Sequence, residues 1–465
     1  MEDEQIRYYV GKDHLSRHDL TICARVNSCW RDSFLPLIYH TIDLRVPNPH
    51  HPDKGATLPS IAAVRQHGRY ICYLTISLPT PYIWELSSLA KDIVTLDAQA
   101  TRGQVLTAGE LNQLSLLLTT NKKLRRLKLS HFYECDMDTE ADSCRRLIQV
   151  VSETSTTLTE LFLDQTVFSF HNVVTLLHNN KHLKVLSIDH IGGFPVRMPK
   201  RHADWLVYAP QLETLTVNRL KNKEAAPPMQ NDNSLGHSQP PRLSRIKFRD
   251  PEMKDDELCE FLEKCPYLEE MVVAQAKIEK KGFDAMARLF GQLTVLDLFD
   301  CEIMDSWMNR TVLQSCSKLV AFGCRNFFIE DYFTTVGGAK VERAEAPLQL
   351  EKRYRRDAKD DIPGPWACAG LQRLKIHTLI WPGPSSDQGL SKAKEYMGRL
   401  SQLEVLMVAR ALFTTKKKKL AESPLWTKGN FETRLEVEQE SRLRWIVDLW
   451  PKLRRYQCTV PLKDL

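Results

Sequence analysis

The spacing Leu-x-x-Leu-x-Leu, seen cleanly at Leu293, Leu296 and Leu298, recurs along most of this 465-residue chain and constrains its fold more than any other feature. The same apolar positions are Ile71/Leu74/Ile76, a degenerate Ile93/Leu96/Ala98, Leu124/Leu127/Leu129, Leu158/Leu161/Leu163, Leu183/Leu186/Ile188 and Leu212/Leu215/Val217. They continue as Leu243/Ile246/Phe248, Leu268/Met271/Val273, Leu319/Phe322/Cys324, Leu371/Leu374/Ile376, Leu403/Leu406/Val408 and Leu453/Tyr456/Cys458. The last two positions of each triplet alternate, which is the strand period, so both face one side and their flanking residues face the other. Between copies, segments such as Asp255 to Cys265 and Phe283 to Phe290 carry helical apolar periodicity, and from Leu243 the copies start at intervals of 25, 25 and 26 residues. One strand with one helix cannot bury its own apolar face, so units of this kind are stable only when stacked.

This pattern resembles the leucine-rich-repeat family over roughly residues 70 to 460, with divergent, fungal-like repeats. The resemblance implies an α/β solenoid with parallel strands on a concave face and helices on a convex face. An ordinary parallel α/β sheet has similar ingredients but would not keep the triplet in register so often. The chain also exceeds the size at which a single core usually stops growing.

The remaining composition narrows the function. Lys+Arg number 64 against 58 Asp+Glu, a formal net charge of +6, so both signs are mixed and nucleic acid is not an expected partner. Twelve cysteines without a C-x-x-C pair read as small apolar core residues in a reducing compartment, which sets an expectation of a cytoplasmic or nuclear protein. The start, MEDEQIRYYV, lacks the apolar stretch of a secretory signal, and no apolar run approaches the ~18 residues of a membrane span, so no membrane partner is expected. No phosphate loop, metal-ligand cluster or nucleophile motif is visible, so the expectation is a non-enzyme with no cofactor, metal or catalytic residue. His50-His51 lack companion ligands, and Cys368 lacks a spaced histidine.

Residues 1 to 44 lack the clean triplet and read as a small all-α module. From His14 the run is HLSRHDLTICARVNSCWRDSFLPLIYHTIDL. Asp19 stands where a helix start favours a side-chain acceptor, and Leu20, Cys23, Ala24 and Val26 follow at helical spacing. Trp30 adds a large apolar surface that so small a piece must bury or present to a partner. The run resembles the F-box, the helical module that docks a protein onto the Skp-type adaptor of an SCF ubiquitin ligase. Leu15, Ser16, Asp19 and Leu20 match the family's first step, Val26, Trp30 and Arg31 its second, and Pro36 to Leu44 its last. The family's opening Leu-Pro-x-Glu-Ile is missing, with only Glu4, Ile6 and Val10 in its place, so the first turn reads as truncated and docking as weakened or lost. The resemblance implies an adaptor surface of Ile6, Val10, Leu15, Leu20, Cys23, Val26, Trp30, Leu35 and Pro36, and through the adaptor a cullin. The alternative reading is a non-catalytic repeat scaffold in which this remnant only caps the first repeat.

Residues 45 to 69, with Pro47, Pro49 and Pro52, read as a linker, and residues 221 to 241 and 337 to 366 as insertions. Lys416 to Lys419 read as a solvated charge run, and Arg442 to Trp450 as a closing helix. Residues flanking the strand triplets face outward and form the expected target surface. They comprise the basic groups Arg126/Lys128, Arg245/Lys247/Arg249 and Arg373/Lys375, suited to an acidic or phosphorylated segment, with Phe162 and Phe299 as anchors. Glu160, Asp164, Glu270 and Asp297 interrupt that basic surface.

Overall fold

A computed structural model describes residues 15–45, 60–101, 106–132, 141–154, 157–166, 176–189, 206, 210–218, 241–249, 253–299, 301, 306–328, 367–381, 400–413, 452 and 455–458. Ile6, Val10, Pro47 to Pro52, both insertions, Lys416 to Lys419 and Arg442 to Trp450 lie wholly or almost wholly outside these residues. The chain divides into two units, Met1–Leu243 and Ser244–Leu465.

In the first unit the described strands are β1 (Thr41–Leu44), β2 (Tyr73–Leu78), β3 (Thr95–Ala100), β4 (Arg126–Phe132), β5 (Glu160–Thr166), β6 (Val185–Asp189) and β7 (Thr214–Asn218). Each pairs in parallel with the next in sequence. Parallel neighbours require a crossover between them, and the described crossovers contain α-helices. These are Tyr82–Leu89 (α4), Ala108–Thr120 (α5) and Ala141–Thr154 (α6). The second unit repeats the scheme. Its strands are β8 (Arg245–Arg249), β9 (Glu270–Ala274), β10 (Val295–Leu298), β11 (Ala321–Phe328), β12 (Arg373–Trp381), β13 (Val405–Phe413) and β14 (Arg455–Cys458), paired in the same order. Helices Asp255–Glu263, Lys280–Ala287 and Ser306–Ser315 fill its described crossovers. All thirteen triplets read from the sequence coincide with β2 to β14, and register aligns them, Leu127 opposite Leu161 and Leu296 opposite Phe322. This is the stacked strand-and-helix coil of a leucine-rich-repeat fold.

The apolar triplet side chains from Ile71 to Ile376, with Leu403 and Leu406, are buried, as are Leu111, Leu114, Leu117 and Leu118 of α5. Phe248 of β8 meets Phe261 of the following helix edge-on, with centroids 4.9 Å apart. A second recurring device lies three residues before five of the thirteen triplets, where Asn121, Asn180, Cys265, Cys316 and Cys368 occur in turn. The carbonyls of Asn121, Asn180, Cys316 and Cys368 accept the N–H of the leucine that opens the next triplet. Asn121 goes further and clamps two repeats: its Oδ1 accepts the Ile93 N–H at 2.8 Å, and its Nδ2 donates to the carbonyls of Ala90 and Leu117 at 2.8 and 2.7 Å. The cysteines in this slot are fully buried, and burial pushes the thiols of Cys265, Cys316 and Cys368 up to about 12. They serve as apolar packing groups rather than nucleophiles.

The amino-terminal module consists of α1 (Arg17–Cys23) and α2 (Ser28–His40), followed directly by β1. Ser16, not Asp19, is the N-cap of α1. The Ser16 hydroxyl accepts the Asp19 N–H, and the Asp19 carboxylate accepts the Ser16 N–H, a reciprocal capping box that the sequence reading assigned to the wrong partner. Asn27 caps α2 through the Trp30 N–H. The segment Thr41–Leu44, read as the end of the helical module, is a strand: Ile42 and Leu44 are 1% exposed and lie opposite Leu74 and Ile76. Its Ile-x-Leu alternation is the same strand period that marks every later repeat. Within residues 45 to 69, Ile61–His67 (α3) is helical, capped by Ser60 and continued by a short 3-10 turn at Gly68–Tyr70.

Candidate functional site

Two surfaces carry the residues singled out in the sequence. On the helical module, Leu20, Ala24, Phe34 and Ile38 form a small buried cluster, with Leu15, Cys23, Trp30, Leu35 and Leu37 packed against it and partly open. Trp30 meets Phe34 edge-to-face at 5.5 Å, so the indole is shared between core and surface. Val26 is 61% exposed, and Ile22, four residues earlier and absent from the expected set, is 52% exposed. Pro36 lies inside α2, where its ring removes one intrahelical hydrogen bond.

The second surface is the open face of the strands, where residues between the apolar positions stand in rows. In the first unit the central row runs Asp43, Thr75, Asp97, Lys128, Phe162, Ser187 and Thr216, each opposite the next. Lys128 reaches across to Asp97 at 3.5 Å. Arg126, one row over, binds Glu160 at 2.9 Å and also lies 4.6 Å from the centre of the Phe162 ring. Asp43 receives the Arg45 guanidinium, which holds its carboxyl below the usual range. Two of the expected cations are therefore neutralised by neighbours, and the expected aromatic anchor is covered by one of them.

The second unit repeats the arrangement with a difference. Arg245 pairs with Glu270 at 3.2 Å. Lys375 lies 3.8 Å from the centre of the Phe299 ring and 3.6 Å from Asp297. Asp297 and Lys375 are not on adjacent strands, because register places Gly323 of β11 between them. A β-carbon on Gly323 would sit 2.7 Å from the Asp297 Cγ, closer than any contact real β-carbons make. Glycine leaves the gap through which the carboxylate spans a whole strand. The same carboxylate accepts the Phe299 N–H at 3.0 Å. Lys247, Arg249 and Arg373 are exposed and have no ion-pair partner among the described residues.

Sequence reasoning found the cations and both phenylalanines but not this pairing. The signal was present: writing the triplets above one another sets Arg126 against Glu160 and Asp97 against Lys128. Among the described residues, no group of three or more histidine, cysteine or acidic residues is placed to hold a metal, and no helix is long and apolar enough to cross a membrane.

No known protein-family model matches the chain, and no curated protein matches it. Among solved structures, it is similar to an internalin from Listeria monocytogenes at 13% identity and a TM-score of 0.38, covering 77% of this chain and 86% of that one. It is also similar to the complex of Rad7 and Elc1 in yeast at 13% identity and a TM-score of 0.35, covering 70% and 88%. Similarities of this size assign neither a partner nor an activity to the present chain.

Proposed function

We propose that this chain is the substrate-receptor subunit of an SCF-type ubiquitin ligase, with the helical module docking a Skp-type adaptor, and through it a cullin, and the open strand face holding a target protein. The observation that carries the reading is the pair Ile22 and Val26, more than half exposed on a module whose own core is only four buried side chains. Isolated exposed apolar residues are ordinary, but two of them together with a partly open tryptophan on so small a unit are suited to a partner. They sit within the F-box-like run from His14 to Leu44. In this role the chain catalyses nothing. It raises the effective concentration of target lysines near a ubiquitin carrier, which requires geometry rather than reactive side chains.

The scaffold reading has one observation in its favour. The path from α2 straight into β1, with Ile42 and Leu44 buried, is also what a cap on the first repeat requires. Deleting the module would strip β1 from β2, so truncation cannot separate the two readings. Size-exclusion chromatography of the intact chain with purified Skp-type adaptor can. A stoichiometric complex supports the receptor, whereas separate elution of two folded proteins leaves the cap.

A further inference from the structure

A groove of about 510 Å³ opens in the first unit on the side where its strands begin. It is lined by Arg125, Lys181, His182, Lys184 and Arg242, with Thr157, Thr159, Gln211 and Glu213. Arg125, Thr159, Lys184 and Glu213 each immediately precede a strand, and their backbones form successive rungs, the Thr159, Lys184 and Glu213 N–H groups donating to the preceding carbonyls at 2.8 Å. The floor is fixed. Thr157 Oγ1 donates to the carbonyls of Lys122 and Leu124, Thr159 Oγ1 to that of Arg125, and Gln211 Nε2 to that of Asn180. Lys184 binds Glu213 at 2.7 Å, so that pair is electrically spent. Arg125, Lys181 and Arg242 remain exposed and without an ion-pair partner among the described residues.

We propose that this groove binds an extended acidic peptide segment of a partner protein, whose carboxylates meet Arg125 and Lys181 on one side of the Lys184–Glu213 pair and Arg242 on the other. Parallel strands lie about 4.8 Å apart, so the four steps from Arg125 to Arg242 span roughly 19 Å, the reach of about six extended residues. The neutralised Lys184–Glu213 pair distinguishes between ligands. An unbroken phosphate backbone would place a charge there with no free cation to meet it, whereas a peptide can place a neutral N–H or hydroxyl there and its carboxylates on either side. Free guanidinium groups bind carboxylates in paired, planar contacts. The inference does not depend on adaptor docking.

The test is fluorescence anisotropy of the full-length chain with a labelled eight-residue peptide alternating glutamate and serine. Its glutamine counterpart and an unlabelled oligothymidylate of twelve nucleotides serve as probe and competitor. The expected results are binding of the glutamate peptide alone, weakening as salt rises, at least tenfold loss in Arg125→Gln/Arg242→Gln, and poor competition by the oligonucleotide. The substituted residues are exposed, and a circular dichroism spectrum verifies the fold. Equal binding of the glutamine peptide, no loss in the double variant, no binding at all, or tighter binding of the oligonucleotide would each overturn the proposal.

Discussion

Replacing Gly323 by alanine is the smallest change that reaches into the strand-face network of the second unit. The new methyl group would occupy the space of the Asp297 carboxylate, forcing that side chain out of the gap across β11. Two contacts are then lost together. The hydrogen bond from the Phe299 N–H to a charged acceptor contributes about 1.5 kcal/mol at the low end of its class, and the half-exposed Lys375–Asp297 pair about 0.5 kcal/mol. Against this, alanine restricts the unfolded chain and returns roughly 0.5 to 1 kcal/mol. The net local cost is therefore about 1 kcal/mol, or roughly fivefold in an opening equilibrium. Hydrogen exchange of the peptide containing residues 295–301 reads this directly, and the Phe299 amide should exchange about fivefold faster. Adding Asp297→Ala removes the obstruction, so the double variant should cost less than the two single changes together. Unchanged exchange in Gly323→Ala, or strictly additive costs, would refute the idea that glycine is there to let the carboxylate through.

Asn121→Ala should destabilise the first unit by about 2 to 4 kcal/mol, because the Ile93 N–H and the Ala90 carbonyl are left buried without their partner; urea denaturation followed by circular dichroism measures this. His67 stacks on Tyr39 at 4.4 Å, and burial first, then the charge of Arg69, holds its imidazole below the ordinary value of about 6.5. A depressed imidazole makes the folded chain the poorer proton acceptor. Its stability contribution is therefore complete above about pH 6.5 and falls as pH drops through the lower folded value. The thermal midpoint should fall less between pH 7 and 5 in His67→Phe than in the natural chain, and an identical fall in both would contradict the assignment. Trp30→Ala should cost about 2 to 3 kcal/mol rather than the full loss of a buried indole, since the ring is only partly covered.

The strands were legible because a two-residue period repeated at thirteen sites leaves few alternatives, and Leu124/Leu127/Leu129 alone would have said much less. Strand β1 escaped because Ile42-x-Leu44 follows a helix with no opening leucine, so the family resemblance claimed it first. The cap of α1 was misassigned for a related reason: serine and aspartate three residues apart can each be read as the start, and only the backbone shows that both serve. The slot three residues before five of the triplets was visible as Asn121, Asn180, Cys265, Cys316 and Cys368. Its meaning needed the turn geometry that joins the residue to the next leucine. At the candidate surfaces, residue type gave the cations, whereas their neutralisation depends on partners about thirty residues away, such as Asp97 and Glu160. Glycine at 323 carried no signal until register put it between Asp297 and Lys375.

The central claim is that the amino-terminal module is an adaptor-docking surface, and titration calorimetry of the full-length chain with purified Skp-type adaptor tests it most directly. Three proteins are compared: the natural chain, Ile22→Glu/Val26→Glu, and Trp84→Glu, which changes an equally exposed apolar residue outside the module. The account predicts binding by the natural chain and by Trp84→Glu, with more than tenfold weakening in the double variant. No binding by the folded natural chain, or equal affinity in all three, would contradict it and leave the module as a cap on a repeat scaffold.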